Sequence, residues 1–173
     1  MIKDRRWLVL LGLSLTYAVT NGILVHTLPL LYPQLIDSFG WSQSEVTLPA
    51  TIFLIANALT SIPAGMMLDK FSPIKIIGVG LLAIIGGLFA FSQVQTLWQL
   101  VAVYALMAAG LSACGLVSNM LVLSRWFVHL RGRATGILLM SSSAGGTVFP
   151  LILGSLIEGG NWRLGMQVMS IMT

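Results

Sequence analysis

Five long stretches without a formal charge dominate this chain: residues 7–31, 46–68, 76–94, 97–123 and 134–157. A sixth starts at 164 and is followed for ten residues, to 173. Crossing roughly 30 Å of hydrocarbon takes about 20 mainly apolar residues, so each of the five is long enough to span a bilayer. Hydrophobic residues make up 57% of the chain and charged residues 8%, with a mean hydropathy of +0.94. A soluble domain carries about 25% charged residues, so this chain has too little polar surface to cover a globule in water. In lipid, every backbone polar group must be bonded internally, which leaves helices and closed barrels. The stretches are long and lack period-two alternation, so helices are expected. The fold class is an all-α membrane protein with five complete transmembrane helices and the start of a sixth.

The connectors set the orientation. Lys3, Arg5 and Arg6 precede the first stretch, Lys70 and Lys75 follow the second, and Arg125, Arg131 and Arg133 follow the fourth. The opposite connectors hold Arg163 as their only Lys or Arg, with Asp37, Glu45 and Glu158. Short basic loops stay in the cytoplasm, so the N-terminus is expected there. Trp41, Trp98, Trp126 and Trp162 fall at the ends of stretches, as interfacial aromatics do. The net charge of +4 therefore reflects topology, and no nucleic-acid partner is expected. The opening MIKDRRWLVLLGLSL has the basic-then-apolar order of a secretory signal, but its apolar run exceeds signal length. It reads as an uncleaved first span. The expected location is multi-pass in a membrane, the cytoplasmic (inner) membrane if the source is bacterial.

The chemistry available inside the spans is restricted. None contains Asp, Glu, Lys or Arg, the residues that usually mark ion pathways. Cys114 is the only cysteine, which excludes an internal disulfide and argues against a thiolate cluster. No Walker loop, dinucleotide fingerprint or zinc-type H-E-x-x-H occurs, so no catalytic residue, cofactor or metal is expected. Polar residues do form columns. At about 100° per residue, Thr16, Tyr17, Thr20, Asn21 and Thr27 fall within about 140° on the first helix. Asn57, Ser61 and Gly65 form a column on the second, and Ser112, Gly115 and Asn119 share a face of the fourth. Gly110, Cys114 and Ser118 make a separate small-residue stripe suited to packing. His26 lies about 28 Å along the first helix from Trp7, near the outer interface, and points away from the polar stripe. It is expected to stand outside the site.

Three segments carry a resemblance. Residues 65–75, GMMLDKFSPIK, are similar to the loop signature G-x-x-x-D-R/K-x-G-x-x-R/K of the major facilitator superfamily, between spans two and three. The chain departs from it at Ser72, where glycine is usual, and at Pro73-Ile74. Residues 124–137, SRWFVHLRGRATGI, resemble the W-F-x-x-x-R-G-x-A-x-G-I stretch of its monocarboxylate-transporter-like and oxalate/formate-antiporter-like branch. Asn161-Trp162-Arg163 is similar to that branch's G-W-R. Gly136, Gly145, Pro150 and Gly154 partly match the superfamily's antiporter signature, with Phe149 and Leu153 in place of two glycines. In Gly145, Pro150 and Gly154 we read helix packing and a proline kink. The arginine that many proton-coupled members carry four residues before a glycine of span four is absent, with Leu106 before Gly110 and Leu111 before Gly115.

The resemblance implies the N-terminal six-helix bundle of a twelve-helix transporter, with the chain stopping within span six and a C-terminal bundle as its partner. It implies a conformational switch at Gly65, Asp69, Lys70, Lys75, Arg125, Arg131 and Arg133. There glycine would permit close helix approach, and Asp69 would engage Arg125 or Arg131. Since the first and fourth helices line the central cavity of this superfamily, Tyr17, Thr20, Asn21, Asn57, Ser112 and Asn119 are the candidate cavity residues. The function expected is secondary transport of a small organic solute, an organic anion such as a carboxylate, by alternating access. The alternative is a membrane scaffold, or a half-transporter without activity of its own.

Overall fold

The computed structural model describes residues 2–127, 129–158 and 162–173, excepting the side chains of residues 2–4 and 158. Lys3 and Glu158 as side chains, and Asn161 entirely, thus lie outside the described residues. All regular structure among them is helical. Helix α1 (Ile2–Asn21) runs without interruption into a π-helical turn (Gly22–Thr27), a 3-10 turn (Leu28–Leu31) and α2 (Tyr32–Phe39). The first helical run therefore continues beyond residue 31. Pro29 and Pro33 do not stop it, because each sits in the first turn of a new segment, where no N–H is needed. Gly40 ends it, in the left-handed conformation at φ 67°, with its N–H on the Ile36 carbonyl at 2.8 Å.

Helix α3 (Gln43–Lys70) starts at a capping box in which the Ser42 N–H donates to Glu45 Oε2 at 2.8 Å. Then come α4 (Pro73–Ser92), α5 (Leu97–Cys114), α6 (Leu116–Trp126), α7 (Arg131–Glu158) and α8 (Trp162–Met172). Among the described residues, five runs are long and apolar enough to cross a membrane: Arg5–Phe39, Gln43–Lys70, Pro73–Ser92, Leu97–Trp126 and Arg131–Ile157. The protein is an all-α, multi-pass integral membrane protein.

Span four, α5 with α6, is the centre of the bundle. Half (50%) of its most apolar stretch is buried, against 17% for α3 and 22% for the span of α7. Helices α3 and α4 pack on α5, α1 and the π turn pack on α7, and α4 packs on α8. Glycines allow close contacts between the helices. A Cβ on Gly80 would lie 2.7 Å from the Gly110 carbonyl oxygen, so α4 and α5 meet backbone to backbone. The small-residue stripe through Gly110 is thus a packing surface.

At the end opposite the basic loops, α8 is tied to the rest. Arg163 donates to the carbonyls of Ser92 and Val94, both at 3.1 Å, at the C-terminal end of α4. Its guanidinium also lies 5.0 Å from the Trp162 ring centroid and 6.0 Å from that of Phe39. Trp162 donates from Nε1 to Ser38 Oγ at 3.3 Å and meets Phe91 edge-on at 6.1 Å. A cation over orphan carbonyls and aromatic faces joins three chain segments at one point.

Candidate functional site

Spans one, two and four enclose a cavity of about 210 Å³ lined by Tyr17, Asn21, Asn57, Ser61, Leu111, Ser112, Gly115, Leu116 and Val117. Four of the six candidate cavity residues, Tyr17, Asn21, Asn57 and Ser112, meet there. The buried amide nitrogen of Asn21 has no protein partner, which leaves a donor free beside the space. Thr20 and Asn119 do not line it. Thr20 is fully buried, and its hydroxyl donates to the Thr16 carbonyl at 2.9 Å. Thr16 likewise donates to Gly12, and Thr27 to Gly22. Short hydroxyl side chains in an apolar solvent bond their own helix, so the threonine column is mostly backbone capping.

The wall's most consequential feature is a break. Span four is interrupted at Gly115, where ψ is −158° and the helix stops and restarts. Asn119 holds this break together: its amide nitrogen donates to the carbonyls of Cys114 at 2.7 Å and Gly115 at 2.9 Å. Ser118 donates to the Ala113 carbonyl. Because α5 ends there, the Cys114 carbonyl would otherwise be orphaned inside the membrane, whereas the Gly115 carbonyl also accepts the Asn119 backbone N–H at 3.2 Å. The N-terminus of α6 then opens at the cavity, with Gly115, Leu116 and Val117 in its lining. Free N–H groups and the positive end of the helix dipole make such an end attractive to an anion. Constant helical periodicity hides this break. Gly115 followed by Ser118 and Asn119, both able to bond backbone carbonyls, is the signal that points to it.

A larger space, about 430 Å³, lies between α3, α4 and α5 toward the basic end. Its lining is apolar apart from Lys75 at its mouth and Thr60 and Ser112, whose hydroxyls donate to the Ala56 and Ala109 carbonyls. It offers a polar solute little to bind.

At the basic end, Asp69, Lys70, Lys75, Arg125, Arg131 and Arg133 are all exposed. The expected contact of Asp69 with Arg125 or Arg131 does not form among the described residues. Arg131 instead donates to the carbonyls of Phe127 at 3.3 Å and Ser124 at 3.2 Å, at the C-terminal end of α6. Those orphan carbonyls are nearer in sequence and complement its charge. Gly65 also departs from expectation: a Cβ there would meet open space, so no helix of this bundle approaches it. Helix α7 runs as one helix through Pro150, and of its signature glycines only Gly145 makes a close approach, to Ala18, while Gly154 faces open space.

His26 is not among the residues lining the cavity. Its ring packs on Gly146, roughly midway along α7, and the helical run continues beyond it to Phe39. The run from Arg5 to Phe39 is 35 residues, longer than the roughly 30 Å of hydrocarbon requires. Both the extra length and the π turn were invisible to a fixed 100° count.

Residues 5–173 match the family model of the Major Facilitator Superfamily. The chain belongs to that superfamily. Among its relatives is a 4-hydroxybenzoate transporter of Acinetobacter baylyi, 31% identical over 90% of this chain and 32% of that protein. A nitrite extrusion protein of Bacillus subtilis is 26% identical over 94% of the chain and 41% of its own length. A membrane sensor protein of Salmonella typhimurium is 26% identical over 81% and 32%. This superfamily member spans about a third of the length of the first curated relatives it matches.

Proposed function

We propose that this chain forms the N-terminal bundle of a secondary transporter that moves a small organic anion, such as a carboxylate, by alternating access. The observation that carries the reading is the cavity of spans one, two and four, where Tyr17, Asn21, Asn57 and Ser112 meet the N-terminus of α6. Neutral amides and hydroxyls orient a polar solute, and the helix end favours its negative charge. The cavity lining holds no Asp, Glu, Lys or Arg, which fits a wall that binds weakly enough to release. A fixed countercharge would then come from the facing C-terminal bundle. The relative named as a 4-hydroxybenzoate transporter supports a carboxylate. In this reading Asp69, Lys70, Lys75, Arg125 and Arg133 lie at the surface that meets the second bundle in the inward-closed state.

A second reading is a non-transporting membrane protein, favoured by the relative named as a membrane sensor. Uptake of labelled aliphatic and aromatic carboxylates into proteoliposomes holding the complete protein separates the two, with neutral solutes as controls. The transporter reading expects saturable uptake of at least one carboxylate. Binding without uptake would favour the sensor, and uptake of neutral solutes alone would overturn the anion assignment.

A further inference from the structure

We propose that the crevice between α3 and α4 seats one anionic phospholipid of the cytoplasmic leaflet, with an acyl chain lying along α5 and the headgroup phosphate at Lys75. The proposal is independent of what the transporter carries. Three observations support it, and the first is the chemistry of the walls. The space of about 430 Å³ is lined by apolar groups, and its two hydroxyls, of Thr60 and Ser112, are already bonded to the carbonyls of Ala56 and Ala109 at 2.6 and 2.8 Å. Such walls offer water no partner, and an apolar space without polar partners stays dry. Left empty, it would forfeit dispersion contacts along three helices, so hydrocarbon is its natural filling.

The second is shape. Helices α3 and α4 both pack on α5 and barely touch each other, which leaves a lengthwise slot. Val79 and Met67 at its rim are exposed, so the slot opens sideways. Its floor is built of Gly80, Ala83, Ala109, Gly110 and Ala113, whose short side chains leave a smooth trough for an unbranched chain. Ala83 lies two turns beyond Lys75 on α4, so at 1.5 Å per residue the slot is about 12 Å deep. That is close to one leaflet, half of the roughly 30 Å of hydrocarbon. A helix from the second bundle would need a groove about twice as long, and wide enough for a cylinder of about 10 Å.

The third is charge. Lys75 stands exposed at the mouth and makes no ion pair among the described residues. It belongs to the first turn of α4, where Ser72 gives no side-chain cap and Pro73 has no N–H. The positive end of that helix therefore faces the interface uncapped. Lys70 ends α3 across the same short connection, and Asp69 offsets one of these two charges. Short basic loops keep this end in the cytoplasm, and the cytoplasmic leaflet is the one that carries anionic lipid. A phosphate at Lys75 with its acyl chain in the slot sets each half of the lipid against matching chemistry.

The test uses the complete protein with Val79→Trp at the rim, in vesicles of phosphatidylcholine and phosphatidylglycerol in which one lipid or the other carries brominated chains. The added Trp fluorescence, read against the protein without the substitution, should be quenched at about fivefold lower mole fraction by brominated phosphatidylglycerol. That ratio is the weight of one lysine beside an anionic surface, and Lys75→Gln should bring the two lipids level. Leu82→Trp, exposed on α4 but outside the slot, should show no preference. Should Val79→Trp reach the membrane poorly, Met67→Trp on the α3 side of the rim gives the same reading. Equal quenching by the two lipids at the rim would reduce the crevice to ordinary bilayer contact and overturn the proposal. Quenching by neither would show that the second bundle covers the crevice, and would overturn it too. A preference abolished by millimolar inorganic phosphate would mean that charge alone is recognised, which would overturn the acyl seat. None of these outcomes bears on solute uptake, so the transport reading stands or falls by its own experiment.

Discussion

Gly145 and Ala18 meet backbone to backbone: a Cβ on Gly145 would overlap the Ala18 carbonyl. One turn higher on span one, a Cβ on Gly22 would lie 2.6 Å from the Phe149 ring. Spans one and five are held together by this glycine pair, and the close approach positions the π turn and His26 against α7.

Gly145→Ala should therefore lower stability by about 1–3 kcal/mol, the usual cost of forcing a methyl into a packed interface. Gly154→Ala, where a Cβ meets nothing within 4 Å, should leave it unchanged or slightly raised. Thermal unfolding of the purified protein in one detergent compares the two. Equal effects would show that α1 and α7 are not in backbone contact.

The two asparagines of the site should separate. Asn119 is fully buried and caps the carbonyls of Cys114 and Gly115, whereas Asn57 is half-buried at the cavity wall. Asn119→Leu should cost about 1–3 kcal/mol by leaving the Cys114 carbonyl unpaired. It should also reduce the amount of protein in the membrane, read by quantitative blotting. Asn57→Leu should insert and fold normally.

Much of this architecture is legible in the sequence, and the exceptions have separate physical causes. The spans are visible because lipid tolerates no charge in them, and Tyr17, Asn21, Asn57 and Ser112 converge because each follows ordinary helical spacing. Thr20 and Asn119 were grouped with them by direction alone, although short polar side chains inside a membrane also bond their own backbone. The π turn Gly22–Thr27 shifts the direction of every later residue in the run, and a fixed period cannot register it. Asp69 and Arg131 carry complementary charge, but no sequence pattern says that Arg131 will turn to the end of α6 instead.

Arg163→Gln should loosen the outer clasp. It removes two charge-assisted bonds to the Ser92 and Val94 carbonyls and the stacking over Trp162. A destabilisation of about 1.5–3 kcal/mol is expected, partly restored by Arg163→Lys, which keeps the charge at the end of α4 but not the planar fork. Trp fluorescence during thermal unfolding reports it directly, since Trp162 sits in the clasp.

Asp69→Asn should behave in the opposite way. Asp69 is exposed and makes no ion pair among the described residues, so the change should move stability by no more than about 0.5 kcal/mol. Uptake by the complete protein should nevertheless fall at unchanged surface expression, because the partner of Asp69 lies across the interface in the closed state. Undiminished uptake would remove the switch role from this loop.

In the proposed transporter the solute sits between Asn21, Asn57 and the N-terminus of α6. The most direct measurement is carboxylate uptake into proteoliposomes holding the complete protein, unaltered or carrying Asn21→Leu or Asn57→Leu at equal reconstituted amounts. Each substitution should raise the half-saturating concentration or abolish uptake, by about tenfold or more for a lost hydrogen bond to a charged solute. Uptake with unchanged half-saturation and rate in both variants would contradict the claim and place the solute elsewhere.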